Sequence, residues 1–362
     1  MLPGVPIIVV LEGAADDRCV VRLSPIAELS AALHALNEID HHPRSRQWAD
    51  AVAGAVDRDL LERAAAWAPL WGSLRARFLL PLDDRTDRTL DKELADVEAL
   101  GVAHLVAMCA EAIVDRDRTL RYDRLSRDAT VVRQFLDRAA HLSPERLALA
   151  KRLVDDPVSL RHDLVAFLRA FASTGFEREW RSLESALRQD ARRRCHDLER
   201  RGLGVIADLT TTAHEHARPR RIVFDKLYDG TAKVADQVCL LVPSVHVRPH
   251  VTIKHNAGLP IVIQYAVGGT DDVSYDVVRK RMLTLSDPIR IRMCRWILRE
   301  PHTTSDLARR MGMSEPQVSR HLRRLREAGL VRTRREGRLV FYTLDAESIQ
   351  RLGGDLLDAL RR

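Results

Sequence analysis

The chain has 362 residues, of which 46% are hydrophobic and 30% charged, and its formal net charge is +7. This length predicts two or three domains, and the apolar content is ordinary for a globular protein with ample core. No stretch approaches the length of a membrane span, and the first apolar run lacks the preceding basic region of a secretion signal. The five scattered cysteines contain no CxxC pair and favour a reducing cytoplasm over a disulfide framework.

The first 220 residues follow mostly helical patterns. Ser24 and Pro25 open the clearest helix, which the spacing of its apolar residues extends to Ile39. Short apolar runs before it are typical of strands, at 5–11 and 19–23. Further helices are predicted at 45–55, 58–67, 91–114, 128–140, 144–154, 157–172 and 176–202. We expect a mostly helical N-terminal domain, residues 1–220, whose role the sequence does not indicate.

From about residue 221 the apolar period changes from helical to strand-like. Glycine and prolines separate the candidate strands, which cover 221–225, 231–235, 238–242, 250–254 and 261–267. We expect residues 221–268 to form a small antiparallel sheet that packs with the N-terminal domain. The best linker, Gly268 to Asp272, separates this part from a C-terminal domain, residues 273–362, whose last helix is predicted at 346–360.

Two groups of histidines could bind a metal ion, because converging imidazoles are zinc ligands. His41 and His42 precede Pro43, where a polar turn is the favoured interpretation and a ligand cluster the alternative. A second group lies in the segment 214–255 and consists of His214, His216, His246, His250 and His255. Its spacing matches neither a zinc finger nor a helical HExxH motif, so we expect surface or hydrogen-bonded histidines and no metal cofactor.

Two short helices with a tight turn between them are predicted near the C-terminus. Thr303 and Asp306 form a capping-box pair at the start of the first helix, which Gly312 ends. Ser314 caps the second helix, and Gly329 allows the chain to leave it in a left-handed conformation. Such a pair, joined by so short a turn, is a helix-turn-helix.

The second of these helices has an apolar side and a donor-rich side. Val318, Leu322 and Leu325 recur at i, i+4 and i+7. The opposite side carries Gln317, Arg320, His321 and Arg324. Residues 330–344 then alternate like two strands around an arginine-rich tip, which is the pattern of a wing. We expect the second helix to enter the DNA major groove and the wing to lie along the backbone or minor groove.

The charge distribution supports this interpretation. Residues 279–362 contain 20 Lys and Arg against 10 Asp and Glu, whereas the rest of the chain contains 38 against 41. Basic side chains that displace counterions from DNA phosphates give affinity that depends on salt. The basic character of the protein therefore lies in the part that contains the helix pair.

Three sequence features identify a family resemblance in residues 285–345. They are Leu285-Ser286-Asp287-Pro288 with Arg290, the run 318–322, and Gly337-Arg338 with Phe341-Tyr342. Together they resemble the arsenic-repressor-type (ArsR) winged-helix family. The resemblance implies a homodimeric repressor, paired through helices before and after the winged helix, that binds a palindromic operator and is released by a signal.

A wider likeness to actinobacterial members of that family with a long N-terminal region rests on Ser24-Pro25 and on Leu241-Val242-Pro243-Ser244. The chain departs from the metal-sensing members of the family. Thr303-Thr304-Ser305 stands where those members carry a Cys-x-Cys pair, and the last helix contains neither His nor Cys. Thiolates or imidazoles are needed at such sites, so the two usual metal sites are absent.

We therefore predict a mainly α protein with small β elements and a C-terminal winged helix-turn-helix, acting as a sequence-specific DNA-binding transcriptional regulator and not as an enzyme. The expected partners are double-stranded operator DNA with an inverted repeat, a second copy of the chain and a small-molecule effector, with no membrane. The expected location is the cytoplasm, on the nucleoid. Residues expected to contact DNA are Thr303, Thr304, Ser314, Gln317, Ser319, Arg320, His321, Arg323, Arg324, Arg332, Arg334, Arg335 and Arg338.

Two alternatives remain. One is a metal-responsive repressor that uses the histidine-rich segment 214–255. The other is an enzyme-like N-terminal domain fused to a winged helix, although no nucleophile elbow, P-loop or dinucleotide-binding glycine motif is present. A pocket with convergent titratable groups would favour the second alternative.

Overall fold

The computed structural model describes residues 5–42, 45–72, 74–117, 119–210, 213–226, 229–267, 275–337 and 339–361. The chain forms two compact units, Met1–Thr270 and Asp271–Arg362. The predicted linker, Gly268 to Asp272, lies outside the described residues. The fold class is confirmed as mainly α with small sheets and a terminal winged helix-turn-helix. The finer division of the N-terminal part into two domains stays a prediction.

Helices make up most of the N-terminal unit, and their apolar sides share one core. As predicted, Ser24 caps the first of them, with its hydroxyl oxygen accepting from the Ala27 N–H at 3.2 Å. A single π-helical turn, Ala172–Phe176, connects the last two. The helices are α1 (Pro25–Asn37), α2 (Arg46–Ala55), α3 (Arg58–Trp67), α4 (Leu90–Ala99), α5 (Val102–Ile113), α6 (Ala129–Leu142), α7 (Pro144–Asp155), α8 (Pro157–Phe171) and α9 (Glu177–Arg201).

The segment 91–114, predicted as one helix, is two helices. Leu100 and Gly101 both have extended backbone, with ψ of 137°. Glycine has low helix propensity, so an interruption at this position costs little. The break lets Val97 and Leu105, on either side of it, reach the same core.

The described part of the N-terminal unit also contains eight strands. They are β1 (Val5–Val10), β2 (Cys19–Val21), β3 (Ala213–Ala217), β4 (Arg220–Lys226), β5 (Gly230–Lys233), β6 (Cys239–Ser244), β7 (Thr252–Lys254) and β8 (Ile261–Ala266). They form two four-stranded sheets, in the orders β3-β4-β1-β5 and β2-β6-β8-β7. The segment 213–217 was not predicted as a strand.

The prediction of an antiparallel sheet is wrong, because each of the two sheets contains both parallel and antiparallel strand pairs. β1 pairs with β5, β2 with β6, and β6 with β8 in parallel. Every residue of β6 is buried, with Leu241 on one face and Leu240 and Val242 on the other, each face packed in its own apolar cluster. A continuous apolar run is typical of a parallel strand covered on both faces, whereas a half-exposed antiparallel strand alternates. The run CLLV carried that signal in the sequence.

The C-terminal unit is a small helical domain with a β-hairpin. The predicted last helix is interrupted by a turn at Arg351. Backbone hydrogen bonds between His302 and Tyr342, at 2.8 and 3.1 Å, tie the segment before the helix pair to the hairpin. Its elements are α10 (Tyr275–Leu285), α11 (Pro288–Ile297), α12 (Thr304–Met311), α13 (Glu315–Glu327), β9 (Val331–Glu336), β10 (Leu339–Leu344), α14 (Ala346–Gln350) and α15 (Leu352–Arg361).

A buried arginine joins α10 to α11. Arg290 donates to the carbonyl oxygens of Thr284, at 2.5 Å, and Leu283, at 3.2 Å, which are at the free C-terminal end of α10. Its guanidinium also pairs with Asp287 at 3.0 Å, and Asp287 in turn caps α11. Asp287 and Arg290, two of the residues that carry the family resemblance, therefore hold α10 and α11 together.

A buried carboxylate joins three parts of the N-terminal unit. Glu93 on α4 accepts hydrogen bonds from Arg22 at 2.5 Å, from the Ser24 hydroxyl at 2.9 Å and from the Ile26 N–H at 2.9 Å. Burial raises the pKa of Glu93 to about 7, and the Arg22 guanidinium opposes that rise. Glu93 thus supplies an acceptor to the first turn of α1 and a counter-charge to an arginine that is 3% exposed.

We expect Glu93→Ala to lower the free energy of unfolding of the N-terminal unit by about 3–5 kcal/mol. The buried Arg22 loses its nearer carboxylate and keeps only Asp83, at 3.3 Å, and the buried Ile26 N–H loses its acceptor. The matched control is Glu98→Ala. Glu98 also pairs with an arginine, Arg169, at 3.0 Å, but on the surface, where the loss is about 1 kcal/mol or less. Urea denaturation of both variants measures the difference, and equal losses would contradict the assigned role of Glu93.

Candidate DNA-binding interface

The turn between α12 and α13 has the predicted local chemistry. Gly312 ends α12 with φ 67° and ψ 35°, a left-handed conformation that favours glycine. Ser314 begins α13, and Gln317 Oε1 accepts both the Ser314 N–H and the Ser314 hydroxyl at 3.0 Å. Thr303 and Asp306 form the capping box at the start of α12. These contacts fix the residues at which α12 and α13 begin and at which α12 ends.

The two sides of α13 face opposite environments. Val318, Leu322 and Leu325 are fully buried in the core of the C-terminal unit. The opposite side is exposed and consists of Gln317, Ser319, Arg320, Arg323 and Arg324. The three arginines have no acidic partner among the residues that the structure describes. They are therefore available to phosphates or to guanine, which an arginine can bind bidentately.

His321 lies at the edge of this exposed side and is half-buried. Burial lowers its pKa, and nearby Arg290, Arg324 and Arg320 act in the same direction, against the raising effect of Asp287. The lowered pKa favours the uncharged ring, in which one nitrogen donates and the other accepts a hydrogen bond. Its Nδ1 is buried and has no hydrogen-bond partner among the described residues. His321 suits a base edge better than a phosphate.

The polar groups at the two helix starts are partly engaged. The Thr303 hydroxyl donates to Asp306 at 2.7 Å, and its side chain is 9% exposed. Thr304 is half-buried, whereas Ser314 is exposed. The carbonyl oxygen of Gln317 is used in the cap, and bidentate pairing with adenine needs that oxygen as well as the amide nitrogen. Gln317 therefore offers its NH₂ group unless it leaves the cap.

The wing is the hairpin β9–β10, and its arginines are not equivalent. Arg332 makes two hydrogen bonds to Asp345, both at 3.1 Å, and Arg334 pairs with Glu336 at 2.8 Å. Arg335 is exposed, donates to the Gly337 carbonyl at 3.2 Å and has no acidic partner in the described part of the chain. Arg338 lies outside the described residues. Among the described wing arginines, Arg335 is thus best placed for a phosphate.

Helices α10 and α15 pack against each other within the C-terminal unit. Arg281 joins them through Asp355 at 3.1 Å, and both side chains are mostly buried. Large apolar side chains remain exposed beside this pair, with relative exposures of 44% for Met282, 55% for Leu283, 50% for Leu357 and 62% for Leu360. Exposed apolar patches of this kind mark interaction surfaces.

The histidine-rich segment 214–255 does not form one site in the described structure. His214 and His216 are exposed on β3. His246 is buried and contacts the Ser45 hydroxyl at 2.9 Å and Glu179 at 3.2 Å. His250 instead lies beside His34 and beside His42, and the sequence analysis had placed His42 in a separate group. The polar turn predicted at residues 41 and 42 is present, but His42 is only 1% exposed.

The N-terminal unit contains a half-open cleft of about 870 Å³ between the start of α4 and the helix α9. Several of its charged residues pair with one another, for example Arg188 with Glu184 at 2.7 Å and with Asp87 at 3.7 Å. Burial raises the pKa of Cys195 in its wall, so this thiol is not an activated nucleophile. Among the described residues no helix combines the length and apolar content needed to cross a bilayer.

Comparison with known proteins supports a two-part description. Residues 5–271 match a family described as "Family of unknown function (DUF5937)", and residues 285–334 match a "Helix-turn-helix domain". The chain is 35% identical over 91 residues to the HTH-type transcriptional regulator KmtR of Mycobacterium tuberculosis, an alignment covering 24% of this chain and 70% of that protein. It is 42% identical over 64 residues to the arsenic resistance transcriptional regulator ArsR1 of Pseudomonas putida.

The second alignment covers 17% of this chain and spans half the length of that relative. A solved ArsR-like transcriptional regulator from Rhodococcus sp. RHA1 is 26% identical, with 23% of this chain and 77% of that chain covered and a TM-score of 0.22. The chain belongs to the family of unknown function DUF5937, and its C-terminal unit is the ArsR-type winged helix-turn-helix of a DNA-binding transcriptional regulator.

Proposed function

We propose that the protein is a dimeric repressor whose α13 binds an inverted-repeat operator and whose N-terminal unit receives the releasing signal. The observation that carries the proposal is the exposed side of α13, where Arg320, Arg323 and Arg324 have no acidic partner among the described residues. Three arginines without an ion pair on one exposed helix side form a local positive field that attracts an anion. DNA supplies such anions at regular spacing.

Within this interface the residues divide by role. Arg320, His321 and Arg324 are proposed to contact base edges, with Ser319 and the amide nitrogen of Gln317 beside them. Arg323, Arg335 and Arg338 are proposed to contact phosphates, where they position the helix without specifying sequence. The remaining predicted contacts are proposed for the rim of the interface, because several of these side chains already have protein partners. They are Thr303, Thr304, Ser314, Arg332 and Arg334.

A second copy of the chain is proposed to bind through the exposed apolar residues of α10 and α15. Two copies would place two α13 helices on successive turns of the same DNA face, which is why operators of such proteins are inverted repeats. Chromosomal DNA as the partner also locates the proposed function in the cytoplasm, on the nucleoid.

For the signal, the cleft of about 870 Å³ has the size of a small-molecule site, and its mixed charged lining would suit a polar ligand. Its internally paired charges and the raised pKa of Cys195 favour binding over catalysis. Absence of enzymatic activity stays a prediction. Incubation of the purified chain with a metabolite mixture, followed by identification of retained compounds, tests for an effector.

We expect Arg320→Ala to weaken binding to the operator by about 1–3 kcal/mol and to relax base preference at one position in each half-site. Selection of genomic fragments with the purified chain supplies the operator, and titration of that fragment and of random DNA supplies both affinities. The matched control is Arg295→Ala, an exposed arginine on α11, outside the helix pair and the wing. Equal losses on operator and random DNA would contradict a base contact by Arg320.

We expect Arg335→Ala to weaken binding about equally on operator and random DNA and to reduce the slope of log affinity against log salt by about 1, because one phosphate contact is lost. Arg332→Ala is the control from the same strand. Its side chain is held by Asp345, so a smaller change in the salt slope is expected. The measurement is a salt titration of DNA binding by the wild type and the two variants. An unchanged slope in Arg335→Ala would show that Arg335 does not contact a phosphate.

We expect Leu357→Asp combined with Met282→Asp to convert the dimer to a monomer and to abolish tight binding to an inverted repeat, because a charge would be buried in an apolar interface. Leu298→Asp is the control, since Leu298 is 59% exposed on the same unit but lies beyond the end of α11. Sedimentation velocity measures the association state. If the double variant remained dimeric, the dimer interface would have to lie on another surface of the protein.

A further inference from the structure

Three histidines from distant parts of the N-terminal unit meet at one point. They are His34 on α1, His42 in the turn after α1, and His250 in the segment before β7. One ring nitrogen from each lies within 4.8 Å of the other two. The ring centroids are 4.7 Å apart for His34 and His42, 5.5 Å for His42 and His250, and 5.9 Å for His34 and His250.

The orientation of His42 is fixed by the backbone. Its Nδ1 lies 2.6 Å from the Arg248 carbonyl oxygen, which can only accept, so Nδ1 carries the proton. The lone pair of the ring is therefore on Nε2. That atom is buried and has no hydrogen-bond partner among the described residues. A histidine that ligates a metal typically donates its other N–H to a backbone carbonyl or a carboxylate in this way.

The carboxylate of Glu38 lies next to the cluster, close to His34 and His41. Glu38 Oε1 is 3.7 Å from Nδ1 of His34, and Glu38 Oε2 is 3.3 Å from Nδ1 of His41. The His41 ring lies 4.7 Å from that of His250, at the rim of the group. Glu38 can therefore orient two imidazoles, and it places a negative charge beside the cluster.

The electrostatic environment keeps the rings neutral. Burial lowers the pKa of His34 to about 3 and of His42 to about 4, and it lowers that of His250 in the same direction. Arg75 and Lys226 add to this effect, whereas Glu38 opposes it. Neutral imidazole is the form that binds metal. The two cations weaken attraction for a dication, so affinity must come from the three nitrogen donors.

We propose that His34, His42 and His250 bind one divalent transition-metal ion of the zinc class, with Glu38 orienting His34. Imidazole nitrogens suit Zn²⁺ and its neighbours, whereas Mg²⁺ and Ca²⁺ need oxygen ligands. Three protein ligands leave a fourth position for water or an exchangeable group. In a tetrahedral site the nitrogens would stand about 3.3 Å apart, and they now lie within 4.8 Å of one another, so small side-chain movements bring them to bonding distance.

The inference does not depend on the proposed DNA binding, because the cluster lies wholly within the N-terminal unit. The test uses the full-length protein, stripped with a chelator and then dialysed against Zn²⁺. Metal analysis by mass spectrometry and competition with a chromogenic chelator give stoichiometry and affinity. We expect one Zn²⁺ per chain in the wild type, at least 100-fold weaker binding in His42→Ala and His250→Ala, and about 10–100-fold weaker binding in Glu38→Gln.

The double variant His214→Ala with His216→Ala is the matched control, because it removes two exposed histidines of the same unit. It should bind Zn²⁺ as the wild type does. A wild type without stoichiometric metal, or metal lost only in the control, would overturn the proposal.

The absorption spectrum of the Co²⁺-loaded wild type provides an independent measurement if the ligand variants fail to fold. Tetrahedral or five-coordinate bands without a thiolate charge-transfer band support three histidine ligands. A thiolate band, or an octahedral spectrum as weak as that of aqueous Co²⁺, would contradict them.

Discussion

The burial of three aliphatic side chains of α13 determines how the C-terminal unit faces its partner. Val318, Leu322 and Leu325 each contribute about 1.5–3 kcal/mol by leaving water, and they occupy one side of the helix. Rotating α13 to hide its arginines would expose these side chains and bury charge, and both changes are unfavourable. Because the helical period is fixed, burial of one side exposes Arg320 and Arg324 on the other. The DNA-binding surface is in this sense a consequence of core packing.

The winged helix could be predicted from the sequence because its determinants are local. Caps at Thr303 and Ser314, the left-handed Gly312 and the alternation of the hairpin all act within a few residues. The pairing of strands in the N-terminal unit depends instead on partners far apart in the chain, such as β2 with β6. The buried run of β6 was recognised as a strand, but its two covered faces, which explain the parallel pairing, appear only in the folded unit.

The histidine cluster could not be predicted from the sequence for the same reason, because its members are far apart in the chain. The sequence favoured surface or hydrogen-bonded histidines in the segment 214–255, and His214, exposed on an edge strand, and His246, hydrogen-bonded to Ser45, agree with it. The sequence did not indicate the cluster that His250 joins. The three that converge come from α1, the turn after it and a loop more than 200 residues later. His34 had no metal signal of its own, because a single histidine within an apolar helix is usually a core residue. The side-chain engagement of Gln317 and Arg332 was equally invisible, since both look like free donors in the sequence.

The histidine cluster and the cleft lie in the N-terminal unit, whereas the DNA-binding helix α13 lies in the C-terminal unit. A ligand of the N-terminal unit, whether an ion at the histidines or a molecule in the cleft, can regulate DNA binding only if its affinity differs between the DNA-bound and free states. The coupling must then be reciprocal, so operator DNA changes the affinity for that ligand by the same factor. A site that binds tightly but equally in both states would stabilise the N-terminal unit and leave repression unchanged. Tight binding at the histidines would thus establish a metal site, whereas a change in its affinity on adding operator DNA would be needed to call it a sensor.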